Sequence, residues 1–240
     1  MRRAIVAALP LGCLALGVLA GCGTPSIGTN TPSNPGALHL ITGPTGHVAT
    51  ATLEVTSGTT AVTVSAKPLD GELFRISTPL GSGIRPLATF HGHTVVVGHA
   101  STTGGNGVRT LNIALAEGVR WTINLDGGAT TETVDMAAGS LGTLNFGAGV
   151  SRASVQLPSA KGTESLVLAG GASELSIVAP PDQPAQVDAV GGASQILLDG
   201  VAHTGVAGGS VFQDPGWATA VNRYSIDLTA GVSDFQMSRT

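Results

Sequence analysis

Gly171-Ala172-Ser173-Glu174-Leu175-Ser176-Ile177 and Gly192-Ala193-Ser194-Gln195-Ile196-Leu197-Leu198 are two copies of one pattern, 21 residues apart. A glycine is followed by a small residue, a serine and a polar residue, and then by apolar residues at alternate positions. Gly149-Val150-Ser151, leading to Val155 and Leu157, is a third copy, and Gly231-Val232-Ser233-Asp234, leading to Phe235 and Met237, is a fourth. A looser copy begins at Gly128-Ala129-Thr130. The first glycines at 128, 149, 171 and 192 are spaced by 21, 22 and 21 residues. The next spacing, to Gly231, is 39, close to two periods, with Gly208-Gly209-Ser210 between.

A period near 21 fits one coil of a β-solenoid. The glycine marks the corner where the chain turns, the small residue packs inside it, and the two apolar residues at i and i+2 face inward. One coil cannot bury that face alone, so several must stack. The expected fold is therefore all-β, a Gly-cornered β-solenoid, with a positive φ at corners such as Gly171. A β-sandwich with glycine-rich hairpins is the alternative, and only long-range strand pairing separates the two.

Period-two alternation extends upstream, in Leu53/Val55, Val62/Val64, Leu111/Ile113/Leu115 and Trp121/Ile123/Leu125, and no stretch of ten residues has helical periodicity. Residues 38–118 read as a less regular N-terminal β portion, either a cap or irregular early coils. Residues 119–240 read as the repeat region, continuous with it. Phe212, Trp217, Tyr224 and Phe235 cluster near the C-terminus and suggest a cap over the open end of the stack, with a partner-binding patch as the alternative.

The composition agrees. The 240 residues include 35 glycines, and only 11% are charged and 3% aromatic. Glycine at twice the usual share disfavours helices. The chain is too apolar for charge-driven disorder. A net charge of −4 with two lysines, Lys67 and Lys161, disfavours nucleic acid as a partner.

The N-terminus reads as an address. Arg2 and Arg3 precede the apolar run Ala4–Val18, which ends in Leu19-Ala20-Gly21-Cys22. That is the layout of a secretory signal peptide, and Leu-Ala-Gly-Cys resembles a bacterial lipobox. By that resemblance residues 1–21 are removed and Cys22 is the lipid-attachment residue. The protein is then exported and anchored to the bacterial cell membrane, with its domain extracytoplasmic; two acyl chains hold stably where one would not. Removing Arg2 and Arg3 leaves nine basic against fifteen acidic side chains, a net charge of −6. Cys13 leaves with the leader, so no intramolecular disulfide is expected. Pro25, Pro32 and Pro35 make residues 22–37 a flexible tether.

The segments 171–177 and 192–198, together with Trp121-Thr122-Ile123-Asn124-Leu125-Asp126-Gly127-Gly128, resemble the toast-rack group of adhesin-type β-repeat domains. That group includes bacterial extracytoplasmic adhesin-type domains and the C-terminal domains of LiaF-type envelope-stress proteins. The likeness covers about residues 109–200 and is looser over 38–108. It implies an extracytoplasmic domain without known enzymatic chemistry, serving as a sensor or interaction platform, and it supplies no catalytic residues. LiaF-type proteins use membrane helices where this chain has Cys22.

Direct signs of chemistry are sparse. His91-Gly92-His93 would place two imidazoles about 7 Å apart on one strand face, a geometry that two ligands of a Zn²⁺ or Cu²⁺ site could use. His99 shares their parity but reaches them only if the chain bends at Gly98, and His47 lies farther away. Asp126 and Asp199 each precede a glycine and read as turn residues. No Gly-x-Ser-x-Gly elbow, His-Glu-x-x-His motif or phosphate loop occurs. The expectation is a non-enzymatic envelope lipoprotein, adhesin-like or stress-sensing, with no cofactor. Its partners would be the membrane, through the lipid, and an envelope protein or polysaccharide. A polysaccharide-active or metal-binding extracytoplasmic protein is the alternative.

Overall fold

The computed structural model describes residues 39–240, apart from Thr45, His47, Gly104 and Asn106. The leader, Cys22, the tether and His47 lie outside the described residues. Nineteen strands make up the fold, and no described residue is helical. In the first half they are β1 (His39–Thr42), β2 (Thr50–Val55), β3 (Thr59–Lys67), β4 (Phe74–Thr78), β5 (Ile84–His91), β6 (Thr94–Ser101), β7 (Thr110–Ala116), β8 (Arg120–Leu125) and β9 (Ala129–Asp135). The second half holds β10 (Ser140–Phe146), β11 (Val150–Gln156), β12 (Thr163–Leu168), β13 (Ala172–Ala179) and β14 (Ala185–Ala189). It ends with β15 (Ala193–Leu198), β16 (Val201–Val206), β17 (Ser210–Gln213), β18 (Arg223–Asp227) and β19 (Val232–Arg239).

Each repeat is a coil of two strands that lie in opposite sheets. Its first strand joins a nine-stranded sheet, ordered β17-β14-β18-β12-β10-β8-β2-β6-β5. Its second joins a ten-stranded sheet, ordered β1-β4-β7-β3-β9-β11-β13-β19-β15-β16. Coil stacks on coil through parallel pairing, as in β8–β10, β10–β12, β9–β11 and β11–β13. Neither sheet closes on itself. This parallel ladder is the long-range pairing that distinguishes a solenoid from a hairpin-built sandwich.

The described residues between 39 and 118 belong to the same stack. The coil β2–β3 lies directly against β8–β9, and β6–β7 lies beyond it. One buried cluster runs from Ile41 to Met237. The alternating residues line it as their pattern predicts: Trp121 and Ile123 are fully buried, and so are Leu175 and Ile177. The small corner residues Val150, Ala172 and Val232 are buried too.

Three expectations need correction. The 39-residue spacing does not hide an intervening coil at Gly208. Residues 199–222 instead form the reversed strands β16 and β17 and a loop. The chain then returns to place β18–β19 between β12–β13 and β14–β15. The aromatic cluster is accordingly not a cap as a whole. Tyr224 and Phe235 are core residues at 1% exposure, and Phe212 alone of the four lies in an end strand. The third correction concerns the corner glycine. Gly171 is not among the glycines with positive φ. The demanding position is the one before it, because a Cβ on Gly170 would overlap the Ala148 backbone of the neighbouring coil. Close approach of coil to coil therefore explains the glycine column, with left-handed backbone at only some corners.

Candidate interaction surface

The parallel register turns each outward-facing position of one coil into a row across the whole sheet. On the nine-stranded sheet one such row reads Thr94, Thr52, Thr122, Thr143, Ser165, Ser225, Gln186 and Gln213. The next row along the strands reads Val96, Glu54, Asn124, Asn145, Val167, Asp227 and Asp188. On the ten-stranded sheet a row runs Asn112, Thr63, Thr133, Ser154, Ser176 and Gln236. Rungs lie about 4.8 Å apart. The molecule thus presents two broad faces of short hydroxyl and amide side chains at regular intervals.

These rows were not readable from any single segment. Thr52, Thr122 and Thr143 are far apart in sequence, and only the coil order brings them side by side. Within the row of mixed residues, Asp227 lies opposite Asp188. Partial burial, and then the charge of Asp188, raise the Asp227 pKa. On the other face Arg152 and Glu174 form an exposed ion pair at 2.9 Å, a contact of small energetic value.

The histidine pair does not share a strand face. His91 ends β5, Gly92 (φ 60°) and His93 form a two-residue turn, and Thr94 opens β6 opposite His91. The spacing that suggested two ligands on one face is therefore a hairpin tip. His99 continues along β6 without a bend at Gly98, and its Nε2 lies 2.7 Å from the Gly58 carbonyl. Among the described residues no group of three or more His, Cys, Asp or Glu side chains is placed to hold a metal ion. Asp199 does make the turn foreseen for it, at φ 46°, between β15 and β16.

Two carboxylates with strongly perturbed pKa values lie inside the stack, where sequence reading had not placed them. Glu132 is 1% exposed, and its Oε2 has no hydrogen-bond partner. Burial pushes its pKa up to about 7. In the ladder it lies between Val62 and Ala153. The signal was available: aligning Gly128-Ala129-Thr130-Thr131-Glu132 with Gly171-Ala172-Ser173-Glu174-Leu175 puts Glu132 at the inward leucine position.

Glu164 is 2% exposed and is the second residue of β12. Burial raises its pKa to about 7, opposed by a hydrogen bond from the Lys161 amide and by the charges of Arg120 and Lys161. Its neighbour in the ladder is Tyr224, whose hydroxyl lies 2.6 Å from both the Pro158 carbonyl and Gln183 Oε1. Burial, and then the Glu164 charge, raise the tyrosine above its usual range. Perturbed groups of this kind often mark catalytic sites. Here both carboxylates are shielded from solvent, and Glu164 and Tyr224 tie the turn after β11 to β18.

No family model matches the sequence, and no curated protein matches it. Among solved structures, the chain is similar to that of a "putative cell adhesion protein" from Clostridium sporogenes. The TM-score is 0.62 at 14% identity, over 85% of this chain and all of the other. A "putative adhesin" from Bacteroides fragilis aligns over 84% of this chain and 97% of its own, at 8% identity, but with a TM-score of only 0.29. At such low identity the clostridial structure speaks for a shared fold: an all-β architecture of stacked strands.

Proposed function

We propose that this protein is a lipid-anchored, extracytoplasmic binding module of the adhesin-like kind, without catalytic chemistry of its own. Cys22 attaches it to the bacterial cell membrane, and an outer sheet face meets an envelope polysaccharide or protein. The observation that carries this reading is the Thr94-to-Gln213 row, a broad polar face made by seven parallel or antiparallel pairings. Short hydroxyl and amide side chains on a rigid sheet lose little rotamer entropy when they form hydrogen bonds to a ligand. The clostridial "putative cell adhesion protein" that shares the fold supports the same reading, as does the Leu-Ala-Gly-Cys leader.

The test is retention of the mature chain on purified envelope polysaccharide and on intact cells. Replacing Thr122, Thr143 and Ser165 together by lysine should lower retention at least about tenfold, equivalent to 1.4 kcal/mol. Single changes such as Asp126→Asn or Asp199→Asn should leave it unaltered. Loss of activity from one carboxylate change, with the triple variant unaffected, would favour an enzyme instead. In fractionated cells, Cys22→Ser should move the protein from the membrane to the soluble fraction, and continued retention would remove the anchor from the reading.

A further inference from the structure

The two ends of the stack differ. At the β1/β5 end, strands pack across the gap between the sheets: β1 and β4 contact β5, with Phe74 and Phe90 at 6.3 Å. The free strands there carry protection against further pairing. β1 has only four residues, and β5 contains Arg85 and Pro86; a short strand, a charge and a proline are the usual ways to blunt a sheet edge.

The β16/β17 end shares only the short strand, since β17 also has four residues, and lacks the charge and the proline. Neither Val201-Ala202-His203-Thr204-Gly205-Val206 nor Ser210-Val211-Phe212-Gln213 contains Asp, Glu, Lys, Arg or Pro. β16 is half-buried or exposed throughout. Val190, Val201 and Val211 are each more than half exposed. Between the sheets a cavity of about 360 Å³ remains, walled by Leu198, Phe212 and Met237 and, on its polar side, by Arg239 ion-paired with Asp199 and Asp214.

We infer that this end docks a second copy of the same chain by edge-to-edge pairing, β16 against its counterpart and β17 against its counterpart. Two observations select that occupant. An isologous contact brings each surface against itself, so charged edges would repel, and these two edges carry no charged Asp, Glu, Lys or Arg. Most importantly, His203 and Phe212 face each other between the two sheets with ring centroids 4.7 Å apart. A two-fold axis perpendicular to the sheets that passes just outside β16 beside His203 therefore also passes just outside β17 beside Phe212. Such an axis sets each residue opposite its own copy and extends both sheets at once. The pairing is short, confined to the residues before Gly205, whose φ is 62°. Within that span it would bring four aromatic rings together over the cavity and cover Val201 and Val211. The pairing does not depend on the adhesin-like reading, and a monomeric chain could still bind polysaccharide.

The experiment uses the mature chain from residue 22 with Cys22→Ser, which contains no other cysteine. Sedimentation at about 100 µM, a concentration that detects even weak specific association, should show a monomer–dimer equilibrium. Thr204→Lys with Val211→Lys puts like charges near the axis on exposed positions and should make the chain monomeric with its thermal midpoint unchanged. Under mild oxidation, His203→Cys should crosslink to a dimer, whereas Thr89→Cys on the opposite edge should not. A monomer throughout, crosslinking equal at both edges, or species larger than a dimer would overturn the proposal.

Discussion

Glu132 occupies a position that the other coils fill with Val62, Ala153 or Leu175. An unpartnered carboxyl there disfavours its own ionisation, which is why its pKa rises from 4.5 to about 7. Below pH 4.5 the group is protonated in both folded and unfolded chains and imposes no ionisation penalty. As pH rises from 4.5 to about 7, only the unfolded chain ionises freely, and stability falls by about 3 kcal/mol before levelling off once the folded chain ionises as well. Glu132→Leu should therefore raise the urea midpoint at pH 8 far more than at pH 5; an unchanged difference between the two midpoints would refute this. The glycine column makes a second contrast. Gly170→Ala should cost more than about 2 kcal/mol, because its Cβ meets backbone that cannot move aside. Gly171→Ala should stay within about 1 kcal/mol, since its Cβ would lie 3.5 Å from the Gly231 carbonyl, an ordinary contact. Comparable unfolding free energies for the two variants would contradict the close-approach explanation. Sequence alone showed that glycine mattered at these corners. It did not show which glycine of the pair carries the constraint, because that depends on the backbone of the next coil.

At the scale of elements, the repeat made the coils legible but not their order. The pattern Gly-small-Ser-x-apolar-x-apolar marks where a coil turns, and it is the same whether the coil stacks on its predecessor or two places away. The insertion of β18–β19 was thus invisible, as was the placement of β2–β3 inside β6–β7. These insertions have a physical consequence: each terminal coil of the chain is clamped by neighbours on both sides. β18 pairs with both β12 and β14, and β19 with both β13 and β15. Removing residues 215–240 would leave two empty rungs between the body of the stack and β14–β15. In that truncated chain, amides of β14 to β17 should lose protection from hydrogen exchange, while those of β8 to β11 keep theirs. A chain stacked in sequence order would lose only its outermost coil, so persistent protection of β14 and β15 would contradict the clamped arrangement. Tyr224 supports the same clamp from within, through its hydroxyl contacts with Pro158 and Gln183. Tyr224→Phe should cost about 1–2 kcal/mol in denaturant unfolding, a buried hydrogen bond's worth, and a neutral effect would show that those contacts add nothing.

At the scale of the whole molecule, strand order assigns the two ends different surroundings. The chain enters the described fold at β1, on one edge of the ten-stranded sheet, and β16 forms the opposite edge. Nine rungs of about 4.8 Å separate them, roughly 43 Å. On the proposed reading the lipid sits on Cys22, only 17 positions before His39, the first residue of β1. A lipid at Cys22 would then hold the β1/β5 end near the membrane and leave the β16/β17 end outermost. The unprotected edges would face away from the bilayer, where another molecule can reach them. Paired through that end, two copies would carry their anchors at opposite extremes, as a contact between facing membranes requires. The geometry is measurable on lipidated protein bound to vesicles, using a fluorophore at His93→Cys on the β5–β6 turn or at Val201→Cys on β16. A headgroup-bound quencher should dim the label at position 93 strongly and the label at position 201 weakly. Equal quenching would mean that the stack lies flat on the bilayer, and both broad faces could not then be free for a ligand.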